Sequence, residues 1–157
     1  MIYLLDTDIF VFMVRGLRIH TVGNERQRGR QAMARKIFDS GRGKTLNGDE
    51  VALSAITVAE MEFGDQNSAN YEEEIELVRR AMAPFALLDF DAFSCPIHYG
   101  EIRHTLTSRG TPIGNMDLLI AAHARALSAT LVTNNIADFS RVPGLTCENW
   151  ATLTKIG

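Results

Sequence analysis

An α/β domain on a mainly parallel sheet is the fold this sequence predicts, and three observations carry it. Short apolar runs of strand length recur along the chain, segments with helical spacing alternate with them, and the first run ends directly in acids. Sheets of this kind place their sites outside the carboxyl ends of the strands, so acids at those ends are the first candidates for chemistry.

Ile2 to Leu5 reads as a buried strand that delivers Asp6, Thr7 and Asp8 to its C-terminal end. Ile9 to Val14 opens a helix. From Gly16 to Asp49 the pattern loosens, because Gly16, Gly23, Gly29, Gly41, Gly43 and Gly48 interrupt it. A mobile loop is expected there, leading into a helix whose spacing shows from Gln31 to Asp39. Val51 to Ser54 is the second strand. A helix from about Thr57 to Phe63 follows, capped by Ser54 or Thr57 and stopped by Gly64. Tyr71 to Ala83 is an acidic amphipathic helix with Ile75, Val78 and Met82 on one stripe, closed by Pro84. Ala86 to Leu88 is the third strand, and another helix runs from about Phe93 to Ser108, before Gly110 and Pro112. Asn115 to Ser128 is a helix so apolar around Leu118 to Ala122 that it must be largely buried. Leu131 to Thr133 and Leu145 to Cys147 complete the sheet.

The 157 residues, 46% hydrophobic and 22% charged, suit one domain with a real core and make a second unlikely. No apolar run reaches the ~18 residues needed to span a bilayer. The opening Met1 to Leu5 meets a carboxylate without a basic leader, so an unprocessed protein of the cytoplasm, with no membrane association, is expected. Cys95 and Cys147 have neither CxxC nor CxxH spacing and suggest neither a zinc site nor a disulfide framework. No GxGxxG or Walker A sequence supports a nucleotide cofactor. The formal charge of −3 hides an asymmetry, since Arg15 to Lys44 holds nine basic residues against two acidic ones. That block is either an electrostatic footprint for nucleic acid or a solvated insertion, and charge alone leaves both readings open.

Three acids share the expected crevice. Asp6 stands where the first strand ends, Glu60 lies in the first turns of the helix after the second strand, and Asp117 lies in the first turn of the buried helix. Taken singly, each has an ordinary reason to be there: a helix dipole, for instance, favours an acid at the position of Asp117. Taken together they repel one another, and burying them is costly unless protons or cations neutralise them. Mg2+ and Mn2+ take oxygen ligands, keep several waters and bind through a few carboxylates plus substrate phosphate. Phosphate esters are therefore the natural substrates. Other polar residues read as structural. His123, flanked by alanines, is a core histidine; His98 and His104 lack the i, i+4 metal spacing; Glu62 faces away from Glu60 towards the surface; Glu72 to Glu74 form a solvated helix start. Trp150 packs the end of the last strand or makes a protein contact.

Four stretches, in order, carry a family resemblance: Tyr3-Leu4-Leu5-Asp6-Thr7-Asp8-Ile9; Leu53-Ser54-Ala55-Ile56-Thr57-Val58-Ala59-Glu60 running on to Gly64; Ile113-Gly114-Asn115-Met116-Asp117 running on to Ala124; and Leu131-Val132-Thr133-Asn134-Asn135-Ile136-Ala137-Asp138-Phe139 with Val142 to Leu145 and Glu148 to Trp150. The sequence resembles the PIN-domain ribonucleases and, within them, the VapC-type toxins of bacterial toxin-antitoxin pairs.

The resemblance implies a three-layer α/β/α sandwich spanning residues 1–157 as a single PIN-like domain, with a longer basic insertion at about 15–49. It implies a metal-dependent endoribonuclease that uses one or two Mg2+ or Mn2+ ions to activate a water against an RNA phosphodiester, leaving a 5′-phosphate and a 3′-hydroxyl. Asp6, Glu60 and Asp117 match the family's first three acids. Its fourth acid aligns with Asn135, with Asp138 three residues on as the other candidate. Thr7 and Thr133 become hydroxyls that orient the acids. A VapB-like antitoxin that covers the acidic cleft, and a homodimer, are the implied partners. The alternative is a catalytically weakened PIN-like regulatory binding module acting through its antitoxin.

Overall fold

The computed structural model describes residues 1–18 and 21–152, so the expected insertion at about 15–49 lies within it except for positions 19 and 20. Five strands, β1 (Ile2–Leu5), β2 (Glu50–Ser54), β3 (Ala86–Leu88), β4 (Thr130–Val132) and β5 (Thr146–Glu148), form one sheet in the order β3-β2-β1-β4-β5. Every pairing is parallel. The helices are α1 (Thr7–Leu17), α2 (Glu25–Leu46), α3 (Ala55–Gln66), α4 (Tyr71–Met82), α5 (Cys95–Ser108), α6 (Asn115–Ala126) and α7 (Ile136–Phe139).

The apolar run of β1 exists because both of its faces are covered. Tyr3 and Leu5 point into a core with Phe10, Met13, Ile37, Val78 and Trp150 from one side. Leu4 points into a second core with Ala52, Ile102, Leu106, Ile120 and Leu131 on the other. Each such side chain removed from water contributes about 1.5–3 kcal/mol, which makes β1 the anchor of both layers. In register, Leu4 sits between Ala52 of β2 and Leu131 of β4. The chain moves outward from β1 through β2 to β3 and then returns to β4 on the opposite flank. The crevice this reversal opens lies at the carboxyl ends of β1 and β4.

The glycine-rich segment differs from the expected mobile loop. It forms a 22-residue helix, α2, whose start is capped by Asn24 Oδ1 accepting from the Gln27 N–H at 2.9 Å. Glycine costs a helix interior about 1 kcal/mol, so local preference argues against this element. Long-range packing overrides it. Gly16 of α1 lets α2 come so near that a Cβ there would lie 2.2 Å from the Ala34 Cβ. Further along, Ile37 and Gly41 are buried, the latter against the Trp150 ring. Arg26, Arg28, Arg30, Arg35 and Arg42 are exposed along this helix. Lys44 instead folds inward, donating to the Tyr3 hydroxyl at 2.7 Å and lying 3.6 Å from Glu148.

Smaller departures have local reasons. α3 runs through Gly64, which is exposed with open space around it, and ends where the Asn67 N–H bonds the Phe63 carbonyl at 3.2 Å. The single turn α7 shows no periodicity long enough to be read from sequence. The apolar stripes of Ile9 to Val14 and of α4 go mainly into the core, with Met13 and Leu77 also lining a cavity between α1, α2 and α4. Glu62 stands at the surface, as expected, and there its Oε1 accepts from the Tyr71 hydroxyl at 2.7 Å and ties α3 to α4.

Candidate active site

Asp6 is the first residue beyond β1, and its N–H still follows the sheet by donating to the Val132 carbonyl at 2.9 Å. Its side chain turns to cap α1. Oδ1 accepts from the Thr7 N–H and Oδ2 from the Thr133 hydroxyl, each at 2.8 Å. Only 3% of the residue is exposed. Burial pushes the carboxyl up to about 7; the hydrogen bond from Thr133 opposes this, and the charges of Asp8 and Asp117 reinforce it. Thr133 is itself oriented, because its oxygen accepts the Asn135 N–H at 2.9 Å while its proton goes to Asp6.

Glu60 reaches the crevice from α3. Of the two expected caps, Ser54 fills the role, its Oγ accepting from the Ile56 N–H at 3.0 Å. Thr57 lies wholly inside, with its Oγ1 3.0 Å from that of Thr7. The Thr7 hydroxyl donates to Glu60 Oε1 at 2.7 Å. Thr7 therefore holds one acid with its backbone and another with its side chain.

Asp117 occupies the first turn of α6, as expected. Burial again raises its carboxyl, followed by the charges of Asp8, Asp138 and Glu60. Three acids from three other elements thus act on this one group. His123, six residues later, is fully buried and bonded to Ser54, so it is the core histidine its surroundings suggest.

The two candidates for the fourth corner are joined. Asn135 Nδ2 donates to Asp138 Oδ2 at 3.0 Å, and Arg141 lies 3.3 Å from the other carboxylate oxygen. Asp138 brings charge to bear on Asp117, while Asn135 anchors Thr133 through its backbone. The structure therefore brings together all seven residues singled out from the sequence.

Among the described residues, no three His, Cys, Asp or Glu side chains close into a ready ligand cage. The donor set nonetheless fits a hard divalent cation. The charges of Asp8 and Asp117 bear on a buried Asp6 whose charged form burial already disfavours, and Mg2+ or Mn2+ needs only one or two such carboxylates besides water and phosphate. Two further residues contribute, Thr57, expected only as a helix cap, and Asp8, expected at the end of the first strand but not counted among the site residues. Thr57 stands one helical turn before Glu60 on the same side of α3, a spacing that is visible but not distinctive. Asp8 acts on both Asp6 and Asp117 although it is exposed.

Comparison with known proteins places this arrangement. The PIN domain model matches residues 3–145. Ribonuclease VapC2 of Rickettsia felis is 36% identical over 150 residues, covering 96% of this chain and 98% of that protein. The tRNA(fMet)-specific endonuclease VapC of Salmonella typhimurium is 30% identical over 148 residues, covering 94% and 97%. The crystal structure of Rickettsia felis VapBC2 bound to a DNA fragment from its promoter aligns with a TM-score of 0.79 at 35% identity, over 96% of this chain and 99% of that one.

Proposed function

Because this chain belongs to the PIN-domain family, we propose that it is an endoribonuclease of the VapC toxin type, acting at the cluster of Asp6, Glu60 and Asp117. The observation that carries the reading is the convergence of these acids at the carboxyl ends of β1 and β4, with Asp6 buried among them.

Asp6, Glu60 and Asp117 would hold Mg2+ or Mn2+, with Asp138 at the margin and Asn135 positioning it. When bound, the cation supplies an acidified water and offsets phosphate charge. The chain's part is to fix the oxygens beforehand. Thr7 and Thr133 hold Asp6 in one rotamer, Thr7 holds Glu60, and the α6 N-terminus supports Asp117. Hydrolysis joins a water oxygen to phosphorus and breaks the bond to the 3′ oxygen, which takes up a proton. The products carry a 5′-phosphate and a 3′-hydroxyl.

A VapB-like antitoxin is the partner this reading requires, in the manner of the VapBC complex it resembles. The apolar cavity of about 720 Å3 between α1, α2 and α4, lined by Met13, Leu17, Phe38 and Leu77, offers such a partner a seat. A homodimer and a cytoplasmic location belong to the same proposal; among the described residues no helix is long and apolar enough to cross a membrane. The regulatory-module alternative drew on a weak fourth corner, and the charge that Asp138 brings to bear on Asp117 supports the catalytic reading over it. Single-turnover cleavage of RNA in Mg2+ tests the proposal. Asp6→Asn and Asp117→Asn should lose cleavage by a factor of a hundred or more, on the order expected when transition-state charge stabilisation goes. Wild-type rates from either would overturn it.

A further inference from the structure

Thr57 is fully buried, yet its hydroxyl meets another element rather than its own helix backbone. The proton count along Thr57, Thr7 and Glu60 is restrictive. A threonine hydroxyl has one proton, and that of Thr7 goes to Glu60 Oε1 at 2.7 Å. The 3.0 Å contact between the two threonine oxygens must therefore be Thr57 donating to Thr7. With its acceptor side filled, the Thr7 hydroxyl is no longer a free rotor and presents its proton in one direction only. Thr7 also gives its N–H to Asp6 Oδ1 at 2.8 Å, so the relay that begins at Thr57 bears on two of the acids.

We propose that Thr57 is a positioning residue: by donating to the Thr7 hydroxyl it fixes the direction in which Thr7 holds Glu60, and so sets how tightly the acidic site takes up a divalent cation. The inference rests on the metal-dependent reading above. Loss of an orienting partner of a ligand typically weakens metal affinity about 10- to 100-fold.

The test compares full-length wild type, Thr57→Val and Thr57→Ser. Valine keeps the shape and removes the donor; serine keeps the donor. Three quantities are read: Mn2+ binding by calorimetry without RNA, the Mg2+ dependence of single-turnover RNA cleavage, and the thermal midpoint in EDTA. Thr57→Val should weaken Mn2+ binding about 10-fold or more and raise the half-saturating Mg2+ in step. Its KM for RNA should stay near wild type. Thr57→Ser should restore binding to within about threefold of wild type. If Thr57→Val does not fold, Thr57→Ala carries the same expectation. Wild-type Mn2+ affinity in the valine variant, or equal weakening by serine and valine, overturns the role of Thr57. Wild-type protein that binds Mn2+ but cuts no RNA overturns the ribonuclease reading alone, and wild-type protein that binds no Mn2+ overturns both.

Discussion

Ser54 and His123 are joined by a 2.8 Å hydrogen bond between the serine hydroxyl and Nδ1 of the imidazole, inside the protein and 69 residues apart in sequence. The serine oxygen also accepts the Ile56 N–H, so one hydroxyl serves both the start of α3 and one ring nitrogen of His123, the other being Nε2. That nitrogen has no partner in hydrogen-bond geometry, the nearby Asp89 carbonyl falling outside it, and the ring lies edge-on to Phe90. Burial pushes the imidazole pKa down, which keeps it neutral. One bond thus fastens the cap of the helix bearing Glu60 to the helix bearing Asp117.

Ser54→Ala should therefore be costly. It removes a helix cap worth about 1 kcal/mol and leaves a buried ring nitrogen without its partner, a further loss of about 1–3 kcal/mol. Denaturant unfolding is expected to show a loss of about 2–4 kcal/mol, the sum of those two effects. An unchanged midpoint would contradict the linkage.

Gly16 sets the approach of α1 to α2. A methyl group there would meet Ala34 at 2.2 Å, so Gly16→Ala forces the helices apart and should destabilise by about 1–3 kcal/mol, the usual range for overpacking. The compensating change is equally specific. Ala34→Gly added to Gly16→Ala should recover part of the loss, measured as a positive coupling in a double-mutant cycle.

The Asp6 carboxyl gives a pH signature with a definite sign. Its folded value of about 7 lies above its ordinary value of 3.8, so the metal-free folded protein keeps a proton that the unfolded chain releases. That contribution to stability is present below about pH 4 and is lost as pH rises to about 7. Melts in EDTA should fall across this window. Asp6→Asn should flatten that part of the slope, and Mg2+ should protect the wild type more at pH 7.5 than at pH 5. A metal-free slope identical in wild type and Asp6→Asn would refute the assignment.

At the fourth corner, charge and position are divided between two residues. Asp138→Asn removes the charge acting on Asp117, and Asn135→Ala removes only the amide that holds Asp138. Cleavage at limiting Mg2+ should fall about tenfold for Asp138→Asn and less for Asn135→Ala, the weaker orienting effect. The reverse order would make Asn135 the direct ligand.

The strands were legible because burial on both faces writes itself as uninterrupted apolar runs, as in Ile2 to Leu5 and Val51 to Ser54. Asp6 and Asp117 were legible for a related reason, since a strand end and a helix start are both local signals. The extent of α2 was not, because what stabilises it is Gly16 meeting Ala34 and Trp150 covering Gly41, contacts that no window of sequence contains. Thr57 and Ser54 stood in plain view beside Glu60, but their partners, Thr7 and His123, lie 50 and 69 residues away. The motif named the residues, and only the fold could say which hydroxyl faces which.

The strand order also sets a schedule. β1 is made first but stays without its β4 neighbour until residues 130–132 have been synthesised, and Thr133, which holds Asp6, comes 127 residues after it. A growing chain on the ribosome already carries Asp6, Glu60 and Asp117, yet lacks the strand and the hydroxyl that bring Asp6 to order. The acidic cluster is thus a late product of synthesis, complete only when β4 and Thr133 have joined the end of β1.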